Sequence, residues 1–180
     1  MEHFYQNIPN WFDYPELYAT AVKNAPSGAR FVEVGVWKGG SAAFMGVEIV
    51  NSGKFITFDA IDTFEGSKEH GDIENFYEET KQNLKPLIDL RIVNLIKGHS
   101  QEVVKNYADN SIDFVFIDAS HEYEDVKRDL ELWLPKVKQG GALGGHDYDP
   151  IWSGVVRAVN EMLGENNIQV FRSSYLFFKR

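Results

Sequence analysis

The sequence places chemistry-bearing residues at the ends of apolar runs. Asp118-Ala119-Ser120-His121 closes the run Ile112 to Ile117, and His146-Asp147 closes the run Gly141 to Gly145. If these runs are neighbouring strands of a parallel sheet, their ends lie ~5 Å apart, and Asp118 and Asp147 converge on one point. Two carboxylates held together do not both stay ionised unless a cation or a shared proton separates them, and a divalent metal is the simplest such cation. Oxygen ligands favour magnesium or a similar hard ion, with His146 either adding a nitrogen ligand or orienting Asp147. His121 is then placed to act as a base on a hydroxyl held by that ion. The plainer alternative makes one acid a helix cap and His121 a surface residue.

A second group lies in Phe31-Val32-Glu33-Val34-Gly35-Val36-Trp37-Lys38-Gly39-Gly40-Ser41. Its first half alternates as a buried strand does, and its second half breaks into glycines before a helix-compatible run, Ala42 to Val50. Such a turn lets a ligand approach the backbone and meet the free N–H groups of a helix start. The pattern is Glu-x-Gly-x-x-x-Gly-Gly, not the pyrophosphate pattern Gly-x-Gly-x-x-Gly, and a carboxylate at Glu33 suits an ammonium or sulfonium ligand better than a phosphate. An acid at the end of the second strand would accept the two hydroxyls of a ribose. Asp59 is the first choice there. Asp62 takes the role if the strand runs three residues further, and a loop-capping turn is the alternative for either. Ser100, in Gly98-His99-Ser100-Gln101, caps a short helix or faces an adenine edge.

The elements that must position these residues follow in order. Asp13 and Glu16 form a capping box for a first helix bearing Leu17, Ala21 and Val22. Strands follow at Ala29 to Gly35, Lys54 to Asp59, Arg91 to Lys97, Ile112 to Asp118 and Gly141 to Gly145. Val126, Leu130, Trp133 and Leu134 mark one helix, and Ser153 to Leu163 another. Ile168 to Arg172 and Tyr175 to Lys179 form a hairpin across Ser173-Ser174. Residues 63–90 are polar, with Gly66 and Gly71 as hinges and a helix near Ile73 to Leu84, and they read as a lid or as an ordinary crossover with a long loop. The early aromatics Phe4, Tyr5, Trp11, Phe12 and Tyr14 staple the first helix to the sheet or line a substrate mouth.

Composition bounds the rest. A chain of 180 residues with 43% hydrophobic and 14% aromatic content is expected to form one domain with a real core. Without cysteine there is no disulfide and no thiol chemistry. A net charge of −9 argues against a nucleic-acid partner. The sequence has neither the ~20-residue apolar stretch of a membrane span nor the opening of a signal peptide, so no membrane partner and a cytoplasmic address are expected.

With Glu33 to Ser41, Asp59, His99-Ser100-Gln101, Asp118 to Tyr123 and Gly144-Gly145-His146-Asp147-Tyr148 in order, the chain resembles the class I S-adenosylmethionine-dependent methyltransferases over about residues 30 to 180. Within them it is most similar to the small-molecule O-methyltransferases that include catechol, caffeoyl-CoA and macrolide-sugar enzymes. The resemblance implies a Rossmann-like α/β fold, doubly wound, with a mostly parallel seven-stranded sheet and a C-terminal antiparallel hairpin. Residues 1–28 would form an N-terminal helical cap and 63–90 a lid insertion. It implies S-adenosylmethionine and a divalent metal, magnesium by preference, as cofactors. Glu33, Gly35 and Ser41 would hold the methionine moiety, with Val36, Trp37 and Gly39 completing the turn. Asp59 or Asp62 would hold the ribose and Ser100, beside His99, the adenine. Asp118 and Asp147 match the metal acids, Asp118 also lying beside the cofactor. His146 stands where those relatives carry a further acid, and His121 where the catechol enzymes have a lysine base and the macrolide-sugar enzymes a histidine.

The expected activity is metal-assisted O-methylation of a small hydroxylated acceptor, in a site lined by Trp37, Tyr123, Tyr148 and Trp152. A metal-dependent hydrolase using Asp118, His121, His146 and Asp147 is one alternative, and a non-catalytic adenosyl-ligand-binding protein another. A nicotinamide oxidoreductase would need the pyrophosphate glycines, and Glu33 stands against it. A homo-oligomer is compatible with the sequence.

Overall fold

A computed structural model of the chain describes residues 1–66 and 76–180. Helix α1 (Pro15–Asn24) is followed by β1 (Ala29–Val34), α2 (Gly40–Ser52), β2 (Ile56–Asp62), α3 (Phe76–Asn83), α4 (Lys85–Asp89), β3 (Val93–Lys97) and α5 (Ser100–Val103). Then come β4 (Ile112–Ile117), α6 (Tyr123–Trp133), β5 (Val137–Gly145), α7 (Ser153–Leu163), β6 (Ile168–Phe171) and β7 (Ser174–Phe178). The sheet order is β3-β2-β1-β4-β5-β7-β6, with β1 to β5 parallel and β7 antiparallel to both its neighbours. This is the Rossmann-like, mostly parallel seven-stranded sheet with a C-terminal antiparallel hairpin. The later strand of the hairpin takes the inner place, so β6 forms the edge.

Alternation along β1 explains how one strand serves two cores. Phe31 packs with Tyr18, Phe44, Phe58 and Phe116 under α1 and α2, whereas Val32 and Val34 join Ile61, Val115, Leu130 and Trp133 under α6 and α7. In α6, the spacing of Val126, Leu130 and Trp133 puts one apolar stripe on the sheet. The same alternation sends Glu33 to the aromatic side, beneath α1 and α2.

Several local expectations change. The capping box at Asp13 does not form: Pro15 occupies the first helical turn, Tyr14 takes the cap position without a side-chain bond, and Asp13 is released to another partner. Strand β2 runs on to Asp62, because Ala60 and Ile61 pair with Glu33 and Val34 of β1 and Asp62 pairs with Lys97 of β3. The hairpin turns through Arg172, at φ 54, one residue earlier than expected.

Of the 63–90 segment, Gly71 and Ile73 lie outside the described residues. The described part is anchored: Thr80, Leu84 and Leu87 are fully buried, and Thr80 and Asn83 donate to the carbonyls of Trp37 and Lys38 at 2.7 and 3.0 Å. Among the described residues no helix is long and apolar enough to cross a membrane.

Candidate active site

The turn after β1 is built on alternating left-handed residues, Gly35 at φ 92, Trp37 at φ 46 and Gly39 at φ 90. Gly35 cannot be anything larger, since a Cβ there would lie 1.8 Å from the carbonyl oxygen of Asp118. Trp37 holds a conformation that side chains avoid, and its surroundings explain how. Its N–H donates to Asp62 Oδ2 at 2.9 Å, its carbonyl accepts from Thr80, and its ring stacks on Trp11 with centroids 4.1 Å apart. Asp62 also accepts from the N–H of Val36 at 2.7 Å and of Phe64 at 2.7 Å, so the acid at the end of β2 ties two loops together.

Glu33 lies just beneath this turn. Tyr18 donates its hydroxyl to Glu33 Oε1 at 3.0 Å, while Oε2 is buried with no hydrogen-bond partner among the described residues. Burial pushes the Glu33 carboxyl up to about 8, with the hydroxyls of Ser41 and Tyr18 pulling the other way. A cationic ligand beside this carboxyl would favour its ionised form and draw off the proton.

The ends of β4 and β5 carry the second cluster. Asp118, His146 and Asp147 each offer a ligand atom, and these atoms all lie within 4.8 Å of one another. Tyr14 donates to Asp118 Oδ2 at 2.8 Å, and His121 Nε2 lies 2.9 Å from Asp147 Oδ2. The His121 ring is stacked on Trp152 with centroids 3.8 Å apart. His146 Nε2 meets Asp13 Oδ1 and Ser173 Oγ, each at 3.0 Å. Burial works against a charged His146, but Asp118 and Asp147 outweigh it and raise the imidazole to about 10. Burial likewise opposes ionisation of Asp147, and His121 and His146 overcome it and hold the carboxyl well below the usual range.

Both clusters open into one cavity of about 860 Å³. Gly35, Val36, Trp37, Ser41, Asp62, Ser100, Asp118, His121, His146 and Asp147 line it. Four residues expected at the site do not. Glu33 lies under the floor, and Gly39 faces Leu84 behind the turn. Asp59 is mid-strand on the other face of the sheet, where it accepts from Tyr107 at 2.8 Å and Asn94 at 3.0 Å; the longer β2 puts Asp62 in its expected place. His99 is exposed at the cap position of α5 and is not among the residues lining the cavity, whereas its neighbours Gly98 and Ser100 are. The Ser100 hydroxyl is itself committed, donating to Asp129 at 2.6 Å and accepting from Trp133 Nε1 at 2.8 Å.

Tyr123 and Tyr148, expected at the acceptor mouth, are bonded to Glu161 and Asn160 of α7. The mouth is formed by Trp11, Phe12, Trp37 and Trp152, so the early aromatics both staple α1 and reach the cavity. The sequence marks Asp13 as a helix cap and Tyr14 as a staple or mouth aromatic, and neither as a partner of the strand-end cluster, whereas Tyr18, which donates to Glu33, carries no local signal at all.

The family model described as a methyltransferase domain matches residues 32–148. Two curated relatives are each 28% identical: the uncharacterized protein y4gI of Sinorhizobium fredii, over 81% of this chain and 16% of its own length, and the uncharacterized protein R132 of Acanthamoeba polyphaga mimivirus, over 91% and 66%. The chain thus spans less than two thirds of the length of these relatives. Among solved structures, the O-methyltransferase NovP superposes with a TM-score of 0.71 at 21% identity, covering 92% of this chain and 78% of its own. CalS11, a TDP-rhamnose 3'-O-methyltransferase, gives 0.64 at 21% identity, covering 91% and 76%.

Proposed function

The chain belongs to the methyltransferase-domain family, and from that premise we propose that it transfers a methyl group from S-adenosylmethionine to a hydroxyl of a small acceptor. The observation that carries this reading is the convergence of the Gly35–Ser41 turn, Asp62 and the Asp118–His121–Asp147 group on a single cavity. The cofactor supplies a methyl carbon activated by a sulfonium charge. The residues present fit such a ligand: Glu33 is a buried carboxyl beneath the turn whose Oε2 has no partner among the described residues, and the missing side chain at Gly35 lets the turn pack directly on the Asp118 backbone. Asp62, with three of its about four acceptor sites taken by the turn, has one site left on Oδ1 for a ribose hydroxyl. Ser100 packs against the adenine, its hydroxyl held inward by Asp129 and Trp133.

His121 takes the acceptor's proton. With Nε2 against Asp147 at 2.9 Å, the imidazole is oriented as a base, and Asp147 stabilises the imidazolium that results. Trp152 fixes the ring plane by stacking. Asp118, His146 and Asp147 would hold a divalent metal, which when bound lowers the pKa of an acceptor hydroxyl. Trp11, Trp37 and Trp152 exclude water from the mouth and offer flat apolar faces to a ring-shaped acceptor. CalS11 acts on a sugar hydroxyl, and sugars are therefore the first acceptors to test.

Calorimetric titration with S-adenosylhomocysteine, with and without a divalent salt, tests the cofactor half. Labelled methyl transfer to a panel of sugars and phenols tests the acceptor half. A protein that binds no adenosyl ligand under either condition refutes the reading.

A further inference from the structure

Around His146 the distances carry more information than the presence of two acids. Its Nδ1 lies 3.3 Å from Asp147 Oδ1 and 3.7 Å from Asp118 Oδ1. Both exceed the ~2.9 Å that an N–H···O bond prefers. Atoms ~2.1 Å from a common metal are ~3 to 3.4 Å apart at octahedral or tetrahedral angles, so the Asp147 separation suits donors that share an ion and the Asp118 oxygen would close in by ~0.3 Å on binding it. The opposite ring nitrogen is engaged elsewhere. Nε2 lies 3.0 Å from Asp13 Oδ1 and 3.0 Å from Ser173 Oγ. An ionised carboxylate only accepts, so Nε2 carries a hydrogen, and Nδ1, which faces the two acids, is the nitrogen left to bind an ion in place of a second proton.

We propose that Asp118, His146 and Asp147 form a mixed nitrogen–oxygen centre that selects a borderline transition ion such as Mn²⁺ or Co²⁺ over Mg²⁺, with Asp13 and Ser173 as the positioning residues that hold His146 in its ligating form. This rests on the reading above only in placing an ion at the strand ends. Magnesium takes oxygen donors and gives up water reluctantly, whereas imidazole suits the first-row transition ions. Where the resemblance would put a third acid in direct contact with the ion, this chain puts an imidazole, and the third carboxylate stands behind it. That carboxylate arrives from the segment before α1. Pro15 starts the helix without help from Asp13, and its side chain is free to cross to His146. The charge near the ion is thereby kept while the donor atom changes from oxygen to nitrogen.

The test uses the full chain loaded with Mn²⁺ and electron spin-echo modulation, which detects a nitrogen nucleus bound directly to the ion. Calorimetry with Mn²⁺, Co²⁺ and Mg²⁺ runs in parallel. The expected result is ¹⁴N modulation together with Mn²⁺ and Co²⁺ affinities at least ~10-fold above that of Mg²⁺. His146→Asp removes the modulation and narrows or reverses the preference. Asp13→Ala and Ser173→Ala each weaken Mn²⁺ binding by ~10- to 100-fold, Asp13→Asn by less, and S-adenosylhomocysteine affinity is unchanged in all three. Retained adenosylhomocysteine binding in the His146→Asp protein establishes that it is folded.

Bound Mn²⁺ without ¹⁴N modulation, an equal or tighter Mg²⁺ site, or an Asp13→Ala protein with unaltered Mn²⁺ affinity overturns the proposal. Binding of adenosylhomocysteine with no ion bound at all also overturns it and leaves the methyltransferase reading standing. A nitrogen-bound Mn²⁺ in a protein that ignores adenosylhomocysteine does the reverse.

Discussion

Replacing Glu33 by Gln separates what this carboxyl costs the ligand-free protein from what it contributes to binding. The side chain is 1% exposed, and burial raises it from 4.5 to about 8, against the smaller opposing pull of the Ser41 and Tyr18 hydroxyls. A carboxyl raised on folding contributes its full stability below the unfolded value and loses it as the pH climbs through the folded one. Near pH 7 the unfolded chain has released this proton and the folded chain has kept it, a difference of ~3 kcal/mol, rising to ~4 kcal/mol near pH 8. Glutamine preserves the shape and never ionises. The variant should therefore match the parent near pH 4.5 and exceed it by ~3 kcal/mol near pH 7, or ~6 to 12 °C in Tm for a chain of this size. Guanidinium unfolding at four pH values reads the stability, and calorimetry reads adenosylhomocysteine affinity, which should fall at least ~10-fold because the acceptor for the cation is gone. A stability difference that stays constant with pH, or a parent that is the more stable at pH 8, would mean that Glu33 is already ionised without ligand, and the argument would be wrong.

Other substitutions probe the remaining parts. His121→Ala should lower kcat by ~10²- to 10⁴-fold while leaving adenosylhomocysteine affinity within twofold; parallel losses would show that it positions the cofactor instead. Gly35→Ala should give no folded protein, its Cβ landing 1.8 Å from the Asp118 carbonyl oxygen. Gly28→Ala, also at positive φ but with nothing within 4 Å, should cost only ~1 to 2 kcal/mol by chemical denaturation. Asp62→Ala frees three backbone N–H groups at once and should both destabilise the fold by ~2 to 4 kcal/mol and weaken cofactor binding. Thr80→Val, outside the cavity, should weaken cofactor binding severalfold by releasing the Trp37 carbonyl, and unaltered binding would show that the turn holds itself.

The parts of this site that follow from periodicity were legible. Strand alternation and the parallel-sheet rule bring Asp118 and Asp147 together without any tertiary information, because they sit one and two residues past the ends of buried runs. The choice between Asp59 and Asp62 was not so determined, since Phe58-Asp59-Ala60-Ile61-Asp62 offers an acid at two plausible strand ends. It is fixed by the pairing of Ile61 with Val34 and of Asp62 with Lys97, neither of which a local pattern encodes. Asp13 was read as a cap because three-residue spacing to Glu16 is a strong local signal, and the competing partner, His146, is 133 residues away. Tyr123 and Tyr148 sit next to the chemistry in sequence, yet α6 turns the one and the loop after β5 the other against α7. Adjacency in sequence fixes distance, and element orientation decides direction.

That asymmetry bears on how the cavity selects a ligand. Its floor and rear gather Asp62, Asp118, Asp147 and, through His146, Asp13, with Glu33 buried beneath the floor, while its mouth is Trp11, Phe12, Trp37 and Trp152. Acids behind apolar walls act in a medium less polarisable than water, where each charge discriminates more strongly between cation and anion. A phosphate would be repelled from that floor, and a sulfonium nucleoside accompanied by a metal ion would not. In the proposed reaction, methyl transfer from a sulfonium to an ionised hydroxyl would destroy a pair of opposite charges, a step that an apolar mouth favours. The opposite arrangement, an apolar floor beneath a charged mouth, would hold neither partner in place, which is why the acids sit at the sheet ends and the tryptophans on the loops.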